Sequence, residues 1–104
     1  MRTYEIMLIL PSDADDKAVG GVTDRIGAIV GQRGGQIGRV DRWGKRRLTF
    51  EIRKQTEGFY VIVECLADPE SVKELDRVLA LADEVLRFKI VVRPELPSRQ
   101  AGAA

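Results

Sequence analysis

The chain has 104 residues, a formal net charge of +1, 44% hydrophobic and 32% charged residues, and one Cys. This describes a single soluble domain able to bury a core without staples. No apolar run approaches the ~20 residues that span a bilayer, and a lone Cys excludes an intrachain disulfide. With no His in the chain, the usual catalytic triads, His metal sites and the common general base near neutral pH are missing, so no enzyme activity, metal or cofactor is expected.

The first residues, Met1-Arg2-Thr3-Tyr4-Glu5, lack the apolar region of a signal peptide, and a cytoplasmic location is expected. Residues 3–10 read as a strand, with Tyr4, Ile6, Leu8 and Leu10 alternating against Thr3, Glu5, Met7 and Ile9. The second set is half apolar, which suits a central strand; Pro11 ends it. Ser12, Asp13 and Asp15 are candidate N-caps. Val19, Val22, Ile26, Ile29 and Val30 then follow at helical spacing up to Gly34-Gly35. Four glycines, Gly20, Gly21, Gly27 and Gly31, lie inside that helix; close packing or simple tolerance accounts for them better than a phosphate loop, since no such motif surrounds them.

Residues 37–43 and 47–54 read as strand segments flanking Gly44-Lys45-Arg46. Ile37, Val40 and Trp43 do not share a period of two, which predicts a bulge or bend, or one long irregular edge strand over 37–53. Leu48, Phe50 and Ile52 are expected in the core, with Arg47, Thr49, Glu51 and Arg53 on the other side. Thr56-Glu57-Gly58 is expected to turn the chain into a strong, two-faced strand over 59–67. Cys65, mid-strand among apolar residues with no adjacent base, reads as a small buried hydrophobe. Asp68-Pro69-Glu70 opens a second helix, with Val72, Leu75, Val78, Leu79 and Ala82 as its buried stripe. The acids Glu70, Glu74, Asp76, Asp83 and Glu84 form a solvated face without metal-loop spacing. Residues 84–93 form the last strand, with Leu86, Phe88, Ile90 and Val92 inward. Residues 94–104 are expected to be a flexible tail.

The order β-α-β-β-α-β predicts an α+β fold. Two interleaved right-handed split βαβ units give a ferredoxin-like sandwich over residues 1–93, a four-stranded antiparallel sheet with two helices on one face. The first and third strands are then central. The other sheet face is expected to present Glu5, Met7 and Ile9 between Arg47 and Thr49 on one side and Arg87 and Lys89 on the other. A fold of this kind hosts many functions and decides none.

The charge is unevenly spread. Residues 39–54 hold seven Lys/Arg against two carboxylates, a local +5 in a chain of +1. Such a segment is a candidate polyanion footprint. Arg39, Arg53 and Lys54 taken singly read as charges that protect a strand edge. Lys45-Arg46-Arg47 beside Trp43 read instead as a phosphate-binding cluster, with Trp43 as a hydrophobic plug under the bend. Glu57-Gly58-Phe59-Tyr60 matches the RNA-recognition-motif pattern only weakly, and Tyr60 reads as core or rim.

Residues 44–53, Gly-Lys-Arg-Arg-Leu-Thr-Phe-Glu-Ile-Arg, resemble the signature of the bacterial small-subunit ribosomal protein number six family. Met1-Arg2-Thr3-Tyr4-Glu5, Lys54, Gly58-Phe59-Tyr60 and Val91-Val92 support the resemblance, which spans residues 1–93. Thr49 and Phe50 depart from the usual Ser/Ala and Tyr. The resemblance implies a non-enzymatic protein that binds small-subunit rRNA together with small-subunit ribosomal protein eighteen and is a monomer when free. It implies Arg2, Lys45, Arg46, Arg47 and Arg87, with Lys89 beside it, as RNA contacts. It implies the edge over 37–53, with Arg39, Arg42, Trp43 and Thr49, as the partner surface. The competing reading is a ligand-binding or dimerising regulatory module of the same fold. An acylphosphatase-type enzyme would need an Asn at its phosphate loop, and the chain has no Asn.

Overall fold

A computed structural model describes residues 1–93; the expected tail over 94–104 lies outside the described residues. The elements are β1 (Arg2–Pro11), α1 (Asp16–Gly31), β2 (Gln36–Ile52), β3 (Gln55–Ala67), α2 (Pro69–Leu81) and β4 (Arg87–Val92). The four strands form one antiparallel sheet in the order β2-β3-β1-β4. The two-faced strands β1 and β3 are central, as their composition requires.

The main core lies between the sheet and the two helices. Ile6, Leu8 and Leu10 of β1 and Val61, Val63 and Cys65 of β3 meet Val19, Val22, Ile26 and Val30 of α1 and Leu75 and Leu79 of α2. Each of these Leu and Ile side chains contributes about 1.5–3 kcal/mol by leaving water. Both helices start on an Asp. The Asp15 carboxylate accepts from the Ala18 N–H at 2.9 Å and that of Asp68 from the Ser71 N–H at 2.9 Å, satisfying an otherwise orphan donor of the first turn. The Arg33 guanidinium, 2.6 Å from Asp68, and the Ser71 bonds hold the Asp68 carboxyl down at about 2. Burial pushes the Cys65 thiol up to about 11, so it stays protonated and inert.

Several boundaries differ from the sequence reading. Helix α1 ends at Gly31 and not at Gly34-Gly35, although Gly34 does adopt φ +85 in the turn that follows. The turn between β2 and β3 is Arg53-Lys54, with Ile52 paired to Gln55. Thr56-Glu57-Gly58 belongs to β3 instead, because a two-residue loop suffices to join antiparallel strands. Strand β4 starts at Arg87, after Leu86, and Val92 at its end is exposed. The expected irregularity of β2 is present as register shifts between Ile37 and Val40, Arg42 and Gly44, and Arg47 and Ile52. Gly44 adopts φ +83 at the second of these, a value that L side chains rarely take.

Candidate functional site

With both helices on one side, the opposite sheet face is uncovered. Its floor consists of Glu5, Met7 and Ile9 from β1 and Tyr60 and Ile62 from β3, with Arg87 and Lys89 from β4 along one side. The β2–β3 hairpin frames the other side. Strand β1 ends opposite Gly58, so residues 47–57 continue beyond the central strand as a two-stranded arm. That arm curls onto the open face. Leu48 and Ile52 pack with Ile9, Leu86 and Tyr60 in a second, smaller cluster. Gly58 permits the crossing, since a Cβ there would stand 2.5 Å from Ile9 Cγ2 and 3.3 Å from Leu48 Cδ2.

The curled arm and the sheet enclose a groove of about 410 Å³ lined by Met7, Ile9, Leu48, Thr49, Phe50, Ile52, Tyr60, Arg87, Phe88 and Lys89. A smaller recess beside it is bordered by Glu5, Met7, Trp43, Ile62, Lys89 and Val91. The surface is thus apolar along its middle and cationic at its rim.

Two aromatic side chains contradict the sequence reading. Phe50, expected in the core, is 72% exposed on the groove wall. It lines the same groove as Leu48 and Ile52, but is not among the side chains packed in the second cluster. Trp43, expected as a buried plug, is 51% exposed. The bulge before Gly44 swings it over the open face, where the Arg46 guanidinium lies 5.5 Å from its ring centroid. At an exposed site such a cation–π contact contributes about 0.5–1 kcal/mol, enough to bias the side chain without immobilising it. Tyr60 sits on the rim, half-buried against the second cluster.

The basic cluster divides between two sides. Lys45 pairs with Phe59, which packs on the helix-side core, and Arg47 pairs with Glu57 two positions on. Arg46, between them, points to the open side with Trp43. Arg47 is therefore not on the open face, where the sequence reading expected it. Cations of the same side at i and i+2 stand about 7 Å apart, and their repulsion in water is only about 0.6 kcal/mol. The fold accommodates the cluster without a counterion.

The remaining candidates scatter more widely. Arg2 opens β1 opposite Ala67, at the end of the sheet remote from the arm. Arg39 lies on the β2 edge 3.9 Å from Asp41, and Arg42 is paired with Asp16 in the first turn of α1. Thr49, Arg87 and Lys89 line one groove. Among the described residues, Lys45, Arg46, Arg47, Arg87 and Lys89 have no acidic partner, whereas Arg25, Arg33, Arg77 and Arg93 each have one. These five are all candidates named for RNA contact; Arg2, Lys17, Arg53 and Lys54 also lack an acidic partner. Phe50, Ile62 and Val91 were missed; strand alternation marks Ile62 and Val91 as open-face positions, but nothing local signals Phe50.

A family model described as Ribosomal protein S6 matches residues 3–92. The small ribosomal subunit protein bS6 of Acidothermus cellulolyticus is 45% identical over 95 residues, covering 91% of this chain and 98% of that protein. The protein of the same description from Nocardia farcinica is 46% identical over 91 residues, covering 88% and 96%. The crystal structure of the 30S ribosomal protein S6 from Thermotoga maritima aligns with a TM-score of 0.76 at 28% identity, covering 88% of this chain and 87% of that one. These relatives are structural ribosomal proteins and not enzymes. The sequence signature, the βαββαβ sheet and a match to the family model over nearly all the described residues converge, and the chain belongs to the ribosomal protein S6 family.

Proposed function

We propose that this small-subunit ribosomal protein binds small-subunit rRNA jointly with small-subunit ribosomal protein eighteen, using the open sheet face and its hairpin arm as one composite surface. The observation that carries the reading is the segregation of unpaired charge. Among the described residues nine Lys and Arg side chains lack an acid, and seven of them, Lys45, Arg46, Arg47, Arg53, Lys54, Arg87 and Lys89, border this face or belong to its hairpin, while Arg25 and Arg77 of the helices are paired. Phosphate is the ligand class that unpaired Arg and Lys bind in number.

The partner is assigned to the apolar part and the β2 edge. Trp43 and Thr49 belong to the recess and the groove, and Arg39 and Arg42 to the strand edge. Exposed Trp and Phe beside an apolar groove are the side chains that anchor protein interfaces. Trp43 touches Arg46, and Thr49 shares a groove with Arg87 and Lys89. Seating the partner would therefore position the RNA-directed cations, so the pair is expected to bind RNA more tightly than either protein alone. Arg2, remote from this surface, is a separate contact with a different part of the RNA.

The test is titration of rRNA with this protein, with the partner, and with both. The Lys45→Ala/Arg46→Ala/Arg47→Ala variant is expected to bind the partner as before, while the affinity of the pair for RNA falls at least tenfold. Unchanged RNA affinity with weakened partner binding would move the cluster to the protein interface.

A further inference from the structure

The tip of the β2–β3 arm is built against its own backbone preference. Arg53 and Lys54 form a two-residue loop in which both residues have positive φ, 49 and 65, with Ile52 and Gln55 paired behind them. This is the pattern of a type I′ hairpin turn, which Asn-Gly fills without strain and long side chains fill with difficulty. In the described chain no other non-glycine residue has positive φ. Strain held at one point, where a better sequence is available, points to the side chains it displays.

What the tip displays is positive charge. The Arg53 guanidinium donates to the Asp83 carbonyl oxygen at 3.1 Å, a neutral acceptor that leaves its charge uncompensated, and Lys54 has no acidic partner among the described residues. Both residues are exposed, at the end of an arm that outruns β1. Lys45, Arg46 and Arg47 lie further back on the same arm, whose two acids are Glu51 and Glu57. Edge protection does not explain the pair, since a hairpin tip is not a strand edge.

We infer that Arg53-Lys54 is a phosphate-binding tip that grips the RNA backbone beyond the open face, the turn strain being retained to hold both cations forward. The inference deepens the proposed function and rests on it. The ligand is the sugar-phosphate backbone and not a base edge, because two flexible cations without a neighbouring planar acceptor or aromatic ring carry no sequence readout.

The deciding variant is Arg53→Asn/Lys54→Gly, which installs the favoured turn and removes both charges. Its folding equilibrium is expected to shift toward the native state by about tenfold or more, from the relief of two left-handed residues. Its affinity for small-subunit rRNA, measured with the partner protein present, is expected to fall. The dependence of log affinity on log salt should flatten by about 1.4–1.8, for two phosphate contacts at roughly 0.7–0.9 each. The control, Lys17→Ala/Lys73→Ala, removes two helix cations and should leave that slope unchanged. A better-folded tip variant with wild-type affinity and slope would overturn the inference. So would an equal flattening in the control, which would indicate net charge alone. If the tip variant binds normally while Lys45→Ala/Arg46→Ala/Arg47→Ala does not, the tip assignment fails and the proposed function stands. If the wild-type pair shows no salt-dependent rRNA binding, both fail.

Discussion

At the scale of single residues, Trp43 separates two accounts of the basic segment. A plug beneath the bend would lose about 3–5 kcal/mol on truncation to Ala. A half-exposed indole resting on Met7 and Ile62 under Arg46 should lose less than about 1 kcal/mol. Denaturant unfolding of Trp43→Ala is expected to give the smaller value, and a loss of 3 kcal/mol or more would show that the side chain is core. The sequence could not make this distinction. Trp43 stands one residue before Gly44, and the bulge there decides which side of the sheet receives it. Phe50 was illegible for a different reason: it shares a side with Leu48 and Ile52, and alternation alone does not show that the arm leaves it uncovered. The cations were legible in identity and not in direction: Arg87 and Lys89 stand on the open face as expected, whereas Arg47, expected there too, is turned with Lys45 to the other side of the arm and Arg46 takes the open side.

At the scale of elements, the helices and the central strands followed from their patterns. Val19, Val22, Ile26 and Val30 mark the buried face of α1, and the caps Asp15 and Asp68 stand where short acidic side chains precede apolar periods. The glycines of α1 were not explained by sequence, and they divide in the structure. A Cβ at Gly20, Gly21 or Gly31 would meet nothing within 4 Å, whereas at Gly27 it would lie 3.3 Å from Ile37 Cδ1. Gly21→Ala is therefore expected to stabilise the protein by about 0.5–1 kcal/mol, the helix-propensity difference. Gly27→Ala should gain less, because Ile37 must give way. Thermal unfolding of the two variants side by side decides it; an equal gain would mean that Gly27 is not a packing position, and a loss at Gly21 would mean that α1 needs flexibility there. The arm was the least legible element. Its turn lacks Asn-Gly, so local chemistry pointed to Thr56-Glu57-Gly58, and only pairing of Ile52 with Gln55 locates it.

At the scale of the whole molecule, two facts combine. The helices cover one sheet face and tie Arg25 and Arg77 to acids, and among the described residues all the unpaired Lys and Arg except Arg2 and Lys17 gather about the other face and its hairpin. A net charge of +1 conceals this separation. It concentrates the positive field on the open face and the hairpin, suited to a polyanion that docks there. The central claim is that the open face and arm bind rRNA through phosphate contacts. Its most direct test is the salt dependence of rRNA affinity in the presence of the partner protein, for the wild type and for Arg46→Ala/Arg87→Ala/Lys89→Ala. Loss of three phosphate contacts should flatten the slope by about 2–3. A variant that keeps the wild-type slope and affinity would contradict the claim.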